Sequence, residues 1–342
     1  MEKTIETYTA HAQSGMLLNA NESPYMVRES VMKEILEMIP TIDLNRYPED
    51  SYQELYETYA QVMNLKADQL LVGNGSDQML GLIIGTHLSR DKTMYTLSKD
   101  FGMYDYYASN YEAQIEKFEV NEDGSFDIDA FIKEGNEKNA SLVLFSNPNN
   151  PTGHCLTKEE ILKIVQGFDC PVLIDEAYME FSNQSVLEYI EEYPNLLVTR
   201  TLSKAYGLAG LRVGFLACNA EKMKEYRALK VPYALNTLSA KIACIVLKHY
   251  EDIQIVIQQT TSFRDEMLDK ILLFRFMEFF PSQANFIYGK CDNKELMLKL
   301  FKEADIQIRD FANTEYFRIT IGTKEENEAV LTVLSKFVRE ML

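Results

Sequence analysis

Thr201-Leu202-Ser203-Lys204-Ala205-Tyr206-Gly207-Leu208-Ala209-Gly210-Leu211-Arg212-Val213-Gly214-Phe215 sets one lysine between a serine and an arginine, among small and apolar residues, just after the apolar run Leu196-Leu197-Val198-Thr199. Burial disfavours an ammonium ion, so a lysine in such a setting is a candidate amine nucleophile, able to form an imine with an aldehyde. Ser203 and Arg212 would then hold a phosphate, the serine as a neutral donor and the arginine as a planar charged fork. A surface lysine in a glycine-containing loop is the bland alternative, and this stretch alone does not exclude it.

Upstream, short apolar runs alternate with helical segments. Leu70-Leu71-Val72, Thr93 to Leu97, Ser141 to Phe145 and Pro171 to Ile174 read as strands, and their continuous apolar character suits strands covered on both faces. The alternation from about residue 68 to 217 predicts βαβ units, hence an α/β fold with a mostly parallel sheet flanked by helices. Ligands in such sheets sit beyond the carboxyl ends of the strands. Three polar stretches fall there. Gly73-Asn74-Gly75-Ser76-Asp77-Gln78 is a glycine-rich strand-to-helix turn whose backbone N–H groups suit an anion. Gln78 stands where a dinucleotide fingerprint needs its third glycine, and Ser76 or Asp77 could equally cap the helix. Asn147 to Gly153 is a rigid Pro- and Asn-rich turn. Asp175 ends an apolar strand, where a carboxylate is costly without a cationic or hydrogen-bonding partner; the adjacent Glu176 reads as structural.

From about Asn236 the pattern changes to a long helical stretch, then short strands at Phe286 to Tyr288, Ile306 to Ile308 and Tyr316 to Ile321, a smaller α+β unit. The expected division is an N-terminal arm and part of the small domain over 1–44, a large domain over 45–235 and a small C-terminal domain over 236–342. Thr157-Lys158-Glu159-Glu160 and Thr323-Lys324-Glu325-Glu326 are capping boxes. Residues Met1 to about Gly15 read as a polar arm.

Composition narrows the function. A formal net charge of -18 over 342 residues argues against nucleic acid or an anionic membrane as partner and suggests a soluble cytoplasmic protein. The five cysteines form no CxxC pairs and the four histidines are dispersed, so reduced thiols and no metal site are expected. No apolar run has membrane-spanning length and no signal-peptide pattern opens the chain.

Taken together with Leu18-Asn19-Ala20-Asn21-Glu22-Ser23-Pro24-Tyr25, Asn45-Arg46-Tyr47-Pro48-Glu49, Val172 to Tyr178 and Phe317-Arg318-Ile319-Thr320-Ile321-Gly322-Thr323, these motifs resemble, in order, those of the fold-type I pyridoxal-phosphate aminotransferases of class I/II, and most of all the histidinol-phosphate branch. The resemblance implies pyridoxal 5'-phosphate as cofactor and a large-plus-small-domain architecture like that of aspartate aminotransferase. It makes Lys204 the catalytic lysine, joined to the cofactor as an imine and later moving the substrate's proton. Ser76, Asp77, Ser203 and Arg212 would bind the cofactor phosphate, Phe101 would stack on the ring, and Asp175 would keep the pyridine nitrogen protonated. Asn150 and Tyr178 would contact the phenolic oxygen, with Asn150 also near the substrate carboxylate. Tyr47 would reach the cofactor phosphate of a second subunit, implying a homodimer.

On the substrate side, the resemblance implies that Arg318 clamps a carboxylate, Arg309 contacts a substrate phosphate and Tyr25 faces the substrate. For Arg309 a local salt bridge with Asp310 is the alternative, and for Phe101 and Tyr47 ordinary aromatic packing. The implied reaction is ping-pong transfer from L-histidinol phosphate to 2-oxoglutarate. An aromatic or other α-amino acid, or threonine-phosphate decarboxylation, are alternatives on the same scaffold, and a non-catalytic cofactor-binding regulator is an alternative of another kind.

Overall fold

The computed structural model describes residues 14–49 and 51–342; the polar arm expected over 1–15 lies almost wholly outside the described residues. The first half runs β1 (Met16–Leu18), α1 (Glu29–Met38), α2 (Gln53–Met63), β2 (Leu70–Asn74), α3 (Ser76–His87), β3 (Thr93–Leu97), α4 (Met103–Asn110), β4 (Gln114–Phe118), α5 (Ile128–Glu137), β5 (Ala140–Ser146), α6 (Lys158–Gln166) and β6 (Val172–Asp175). The second half continues β7 (Leu196–Thr201), β8 (Val213–Cys218), α7 (Ala220–Leu229), α8 (Thr237–Lys248), α9 (Tyr250–Ile271), β9 (Met277–Phe279), β10 (Phe286–Cys291), α10 (Lys294–Glu303), β11 (Ile306–Asp310), β12 (Tyr316–Thr320) and α11 (Lys324–Met341).

Seven strands form the large sheet in the order β2-β8-β7-β6-β5-β3-β4. All neighbours are parallel except at β8, which is antiparallel to both β7 and β2. The α/β class read from the sequence is therefore the class observed. The apolar runs are continuous because alternate residues feed two separate cores. Val143 and Phe145 of β5, Val172 and Ile174 of β6 and Val198 of β7 face the core built with α2, α5, α6 and α8. Leu142, Leu144, Leu173 and Leu197 face the other, built with α3, α4 and α7. Fully burying each such side chain contributes roughly 1.5–3 kcal/mol, so both helical layers are held tightly.

The small sheet has the order β1-β11-β12-β10-β9, with β1 parallel to β11 and the rest antiparallel. One of its faces, including Ile287, Phe317 and Ile319, packs on α9, α10 and α11. The alternate residues of β10 and β12 face the large sheet in opposed pairs: Phe286 with Thr320, Tyr288 with Arg318, Lys290 with Tyr316. The boundaries expected at 44 and 236 give α1 and α8 to the smaller unit; both bury residues in the first core of the large sheet. Among the described residues no helix is long and apolar enough to cross a membrane, no metal-binding cluster occurs, and all five cysteines are free thiols.

Candidate active site

The sheet's pairing dictates where polar residues collect. Because β2, β3, β5, β6 and β7 run the same way and β8 runs against them, the carboxyl ends of those five and the amino end of β8 share one edge. Gly75 to Asp77 follow β2, Phe101 follows β3, Asn150 follows β5, Asp175 ends β6, Ser203 and Lys204 follow β7, and Arg212 precedes β8.

Lys204 is half-buried, and its Nζ donates to the Ala20 carbonyl at 2.8 Å while lying 5.8 Å from the centre of the Tyr178 ring. The segment that carries Ala20 is itself pinned. Asn21 sits in the left-handed backbone region (φ 56°), donates its backbone N–H to Thr320 Oγ1 at 3.0 Å and its side-chain amide to Tyr178 Oη at 3.0 Å. Its carbonyl accepts from Asn285 at 3.0 Å. The stretch after β1 thus crosses directly over the lysine loop.

Asp175 is buried, with 3% of its surface exposed. Its two oxygens accept from the hydroxyls of Tyr104 at 2.9 Å and Thr199 at 3.0 Å, and both donors are neutral. Burial pushes its carboxyl up to about 6, against the pull of those hydrogen bonds.

Arg212, in the left-handed region at φ 54°, donates to Ser203 Oγ at 3.3 Å and pairs with the Asp77 carboxylate at 2.7 Å. The neighbouring turn needs its glycine. Gly75 has φ +81°, and a Cβ there would sit 2.8 Å from the Arg212 guanidinium. Gly75 also occupies the N-cap of α3 with no side-chain cap, so neither Ser76 nor Asp77 caps that helix and its first N–H groups point free of side-chain acceptors. The capping boxes at Thr157 and Thr323 are both formed.

Phe101 is half-buried and lies edge-on to Tyr104, ring centres 5.6 Å apart at 88°. Asn150 joins the two sheets: its Oδ1 accepts from Arg318 Nη1. Arg318 is buried, donates also to the Asn19 carbonyl at 3.0 Å, and lies 5.0 Å over the Phe286 ring. Arg309 stands directly opposite Arg318 on the adjacent antiparallel strand and 5.8 Å over the Phe311 ring. Asp310, the partner considered for Arg309, instead has its carboxylate 2.6 Å from Lys294.

Two predicted tyrosines have neighbours of their own. Tyr25 is half-buried, its phenol raised above the ordinary value by burial and by Glu325 and Glu326 at the start of α11. Tyr47 is 82% exposed and stacks on Tyr233 at 4.9 Å. Sequence reasoning missed Thr199 and Tyr104, and it gave Ala20 and Asn21 no part of their own; these parts come from strand register and chain crossing. Glu176, read as structural, pairs with Arg200 at 2.9 Å and accepts from Ser185 and the Val186 N–H.

Comparison with known proteins gives a consistent result. The family described as aminotransferase class I and II matches residues 13–334. A histidinol-phosphate aminotransferase of Clostridium kluyveri is 34% identical over 325 residues, covering 94% of this chain and 93% of that protein. Two solved structures share the fold. A histidinol-phosphate aminotransferase of Sinorhizobium meliloti in complex with pyridoxal-5'-phosphate superposes with TM-score 0.85 at 20% identity, covering 96% of this chain and 92% of that one. An L-threonine-O-3-phosphate decarboxylase of Porphyromonas gingivalis gives 0.80 at 24%, covering 95% and 99%.

Proposed function

The chain belongs to the aminotransferase class I and II family and is a pyridoxal-phosphate-dependent transaminase, and from that premise we propose that it moves the amino group of L-histidinol phosphate to 2-oxoglutarate at the edge site described above. The observation that carries the substrate assignment is the pairing of Arg309 with Arg318. Arg318 holds Asn150 of the edge site, and Arg309 stands across the strand pair from it, so two arginines lie side by side next to that site. The two half-reactions bring a phosphate monoester and a dicarboxylate in turn, and each suits a planar guanidinium fork. The relatives named histidinol-phosphate aminotransferase support the same reading.

The residues fit the cofactor on their own chemistry. Asp175 is a buried carboxylate with only neutral donors, which a protonated ring nitrogen would complement. The uncapped start of α3, Ser76, Ser203 and Arg212 form an anion cup beside a glycine that leaves room for the guanidinium. Asp77 already occupies one arm of Arg212, and the five donors of arginine leave others for a phosphate.

Bound pyridoxal phosphate supplies an electron sink for the pair left when the substrate's Cα loses its proton. Lys204 Nζ would anchor the cofactor and then take up and hand on that proton. The Ala20 carbonyl and the Tyr178 ring orient the amine beforehand. Asp175 holds positive charge on the ring nitrogen. Asn150 and Tyr178 would hold the cofactor's phenolic oxygen, and each is fixed by a neighbour, Arg318 for the first and Asn21 for the second. Phe101 would cover one face of the ring, and Tyr25 would face the substrate. The enzyme works as a homodimer. Tyr47, exposed like Met26, Leu44 and Val231, would reach the partner's phosphate cup.

A half-reaction screen tests the assignment. Histidinol phosphate is expected to convert the bound cofactor to its amine form at least about tenfold faster than phenylalanine, as loss of one charge-assisted contact predicts. Faster conversion by phenylalanine would transfer the assignment to an aromatic amino acid, and release of carbon dioxide from threonine phosphate would make the enzyme a decarboxylase.

A further inference from the structure

One half-buried acid at the same edge has no part in the mechanism above. Asp100, in the turn between β3 and α4, accepts from the Ser146 backbone N–H at 3.0 Å, from the Ser146 hydroxyl and from the Phe101 N–H at 2.7 Å. Ser146 is the last residue of β5 and lies in register beside Asp175 of β6, which is itself in register beside Thr199 of β7. The polarity of this chain of hydrogen bonds can be worked out. Ser146 Oγ accepts from the Asn150 N–H at 2.9 Å and from the Asn149 side-chain amide at 3.4 Å. A hydroxyl has two lone pairs and one proton. With both lone pairs engaged, its proton points at Asp100, which must therefore be the acceptor.

We propose that Asp100 is the positioning residue of the cofactor site, a single half-buried carboxylate that fixes Phe101 on one side and, through Ser146, the Asn150 turn on the other. Both residues would touch the cofactor, on its ring face and at its phenolic oxygen, and they lie on loops following different strands. Without a common anchor each loop would set its own distance to the ring. The segment after Asp100 also carries Tyr104, which donates to Asp175, so three of the ring's contacts trace back to this one turn. Desolvation of the carboxyl group pushes Asp100 up to about 7, with Asp175 adding to the shift and the hydrogen bonds from Ser146 and Phe101 opposing it. The inference rests on the cofactor reading above.

The test uses the loaded enzyme and reads the cofactor's own signals: its visible absorbance against pH, its induced circular dichroism, and its dissociation constant. Asp100→Asn cannot accept from all three donors. It is expected to reduce the dichroism by half or more, move the midpoint of the absorbance titration and weaken cofactor binding about tenfold or more, the scale for a hydrogen bond to a charged group. Ser146→Ala keeps the Asp100 contacts to backbone N–H groups and removes the hydroxyl that links Asp100 to Asn149 and Asn150. It is expected to shift the titration midpoint in the same direction, with a smaller loss of dichroism, and it carries the test if Asp100→Asn does not fold. Ile164→Val, a core change on α6 far from the ring, is the control for destabilisation alone. If the Asp100 and Ser146 variants lower the melting temperature as Ile164→Val does and leave dichroism, titration midpoint and binding at wild-type values, Asp100 is only structural and the proposal is wrong. A wild-type enzyme with no borohydride-sensitive visible band would instead overturn the cofactor site itself, so the two failures are distinguishable.

Discussion

Asp175 and Glu176 are neighbours in the chain, with 3% and 0% of their surfaces exposed, yet their surroundings differ in kind. Asp175 faces two hydroxyls and no cation. Glu176 meets Arg200, which also binds Glu180 at 2.7 Å and Ser185 at 3.0 Å, in an ion cluster closed to solvent. A buried ion cluster satisfied from within the chain is a structural device, whereas a buried carboxylate with only neutral donors has charge left for something the chain does not supply. The strand alternation explains the split. Asp175 is the last residue of β6 and lies in register with Thr199, while Glu176 has already left the strand and turns toward Arg200 of β7 on the other side.

The largest expected effect separates the two. Asp175→Asn should reduce transaminase turnover by about 10²–10³-fold, the scale for losing one preorganised electrostatic contact. Its melting temperature without cofactor should hold or rise, because an uncompensated buried charge has been removed. Single-turnover kinetics and thermal melts on the same preparation decide it; a stability loss with unchanged turnover would reverse the roles. Arg200→Met makes the opposite prediction. It leaves Glu176 and Glu180 buried without their cation and should destabilise the fold by about 3–5 kcal/mol in urea titrations. Folded protein recovered at lower temperature should still bind the cofactor. If it does not, the ion cluster belongs to the site.

The same contrast shows what was legible in the sequence. Asp175, Lys204, Ser203 and Arg212 stood out because each follows or precedes an apolar run, and strand ends in a parallel sheet converge on one edge. Ser146 to Asp175 to Thr199 is a line across β5, β6 and β7, and strand order cannot be read from one chain's periodicity. Arg318 and Asn150 meet across 168 residues for the same reason. In the fold, β5 was plain because both its faces are apolar, while β4 (Gln114–Phe118), an edge strand with little burial, carries no such signal. The helical stretch after Asn236 read as one run but is two helices, broken at His249 (φ -102°, ψ 38°), where no proline or glycine marks the break. Local chemistry was legible at the caps of α6 and α11, where both partners lie within one turn.

A smaller effect concerns protons. Burial raises the carboxyl of Asp175 to about 6 and that of Asp100 to about 7 in the protein without cofactor. Ordinary carboxyls in an unfolded chain titrate near 4, so between about pH 4 and 7 the folded state binds more protons than the unfolded one. The stability that protonation of these two groups contributes is fully present below about pH 4 and is lost as pH rises through 6 to 7. Urea unfolding of cofactor-free protein from pH 5 to 8 should therefore show a falling contribution that Asp175→Asn flattens at the lower end and Asp100→Asn at the upper. A wild-type profile parallel to that of both variants would mean that neither acid is protonated in the folded state.

The smallest effect tests whether burial, rather than contact distance, separates structural from spectator charges. Lys117 and Asp105 approach to 2.5 Å, closer than Arg200 and Glu180 at 2.7 Å, but each exposes 39% of its side chain. Water and mobile ions screen such a pair, and holding two long side chains in one geometry offsets the remaining attraction. Lys117→Gln should therefore change unfolding free energy by less than about 1 kcal/mol, and raising the salt to about 1 M should remove even that. Should it cost as much as Arg200→Met, distance alone would govern these pairs, and the contrast drawn between Asp175 and Glu176 would lose its physical basis.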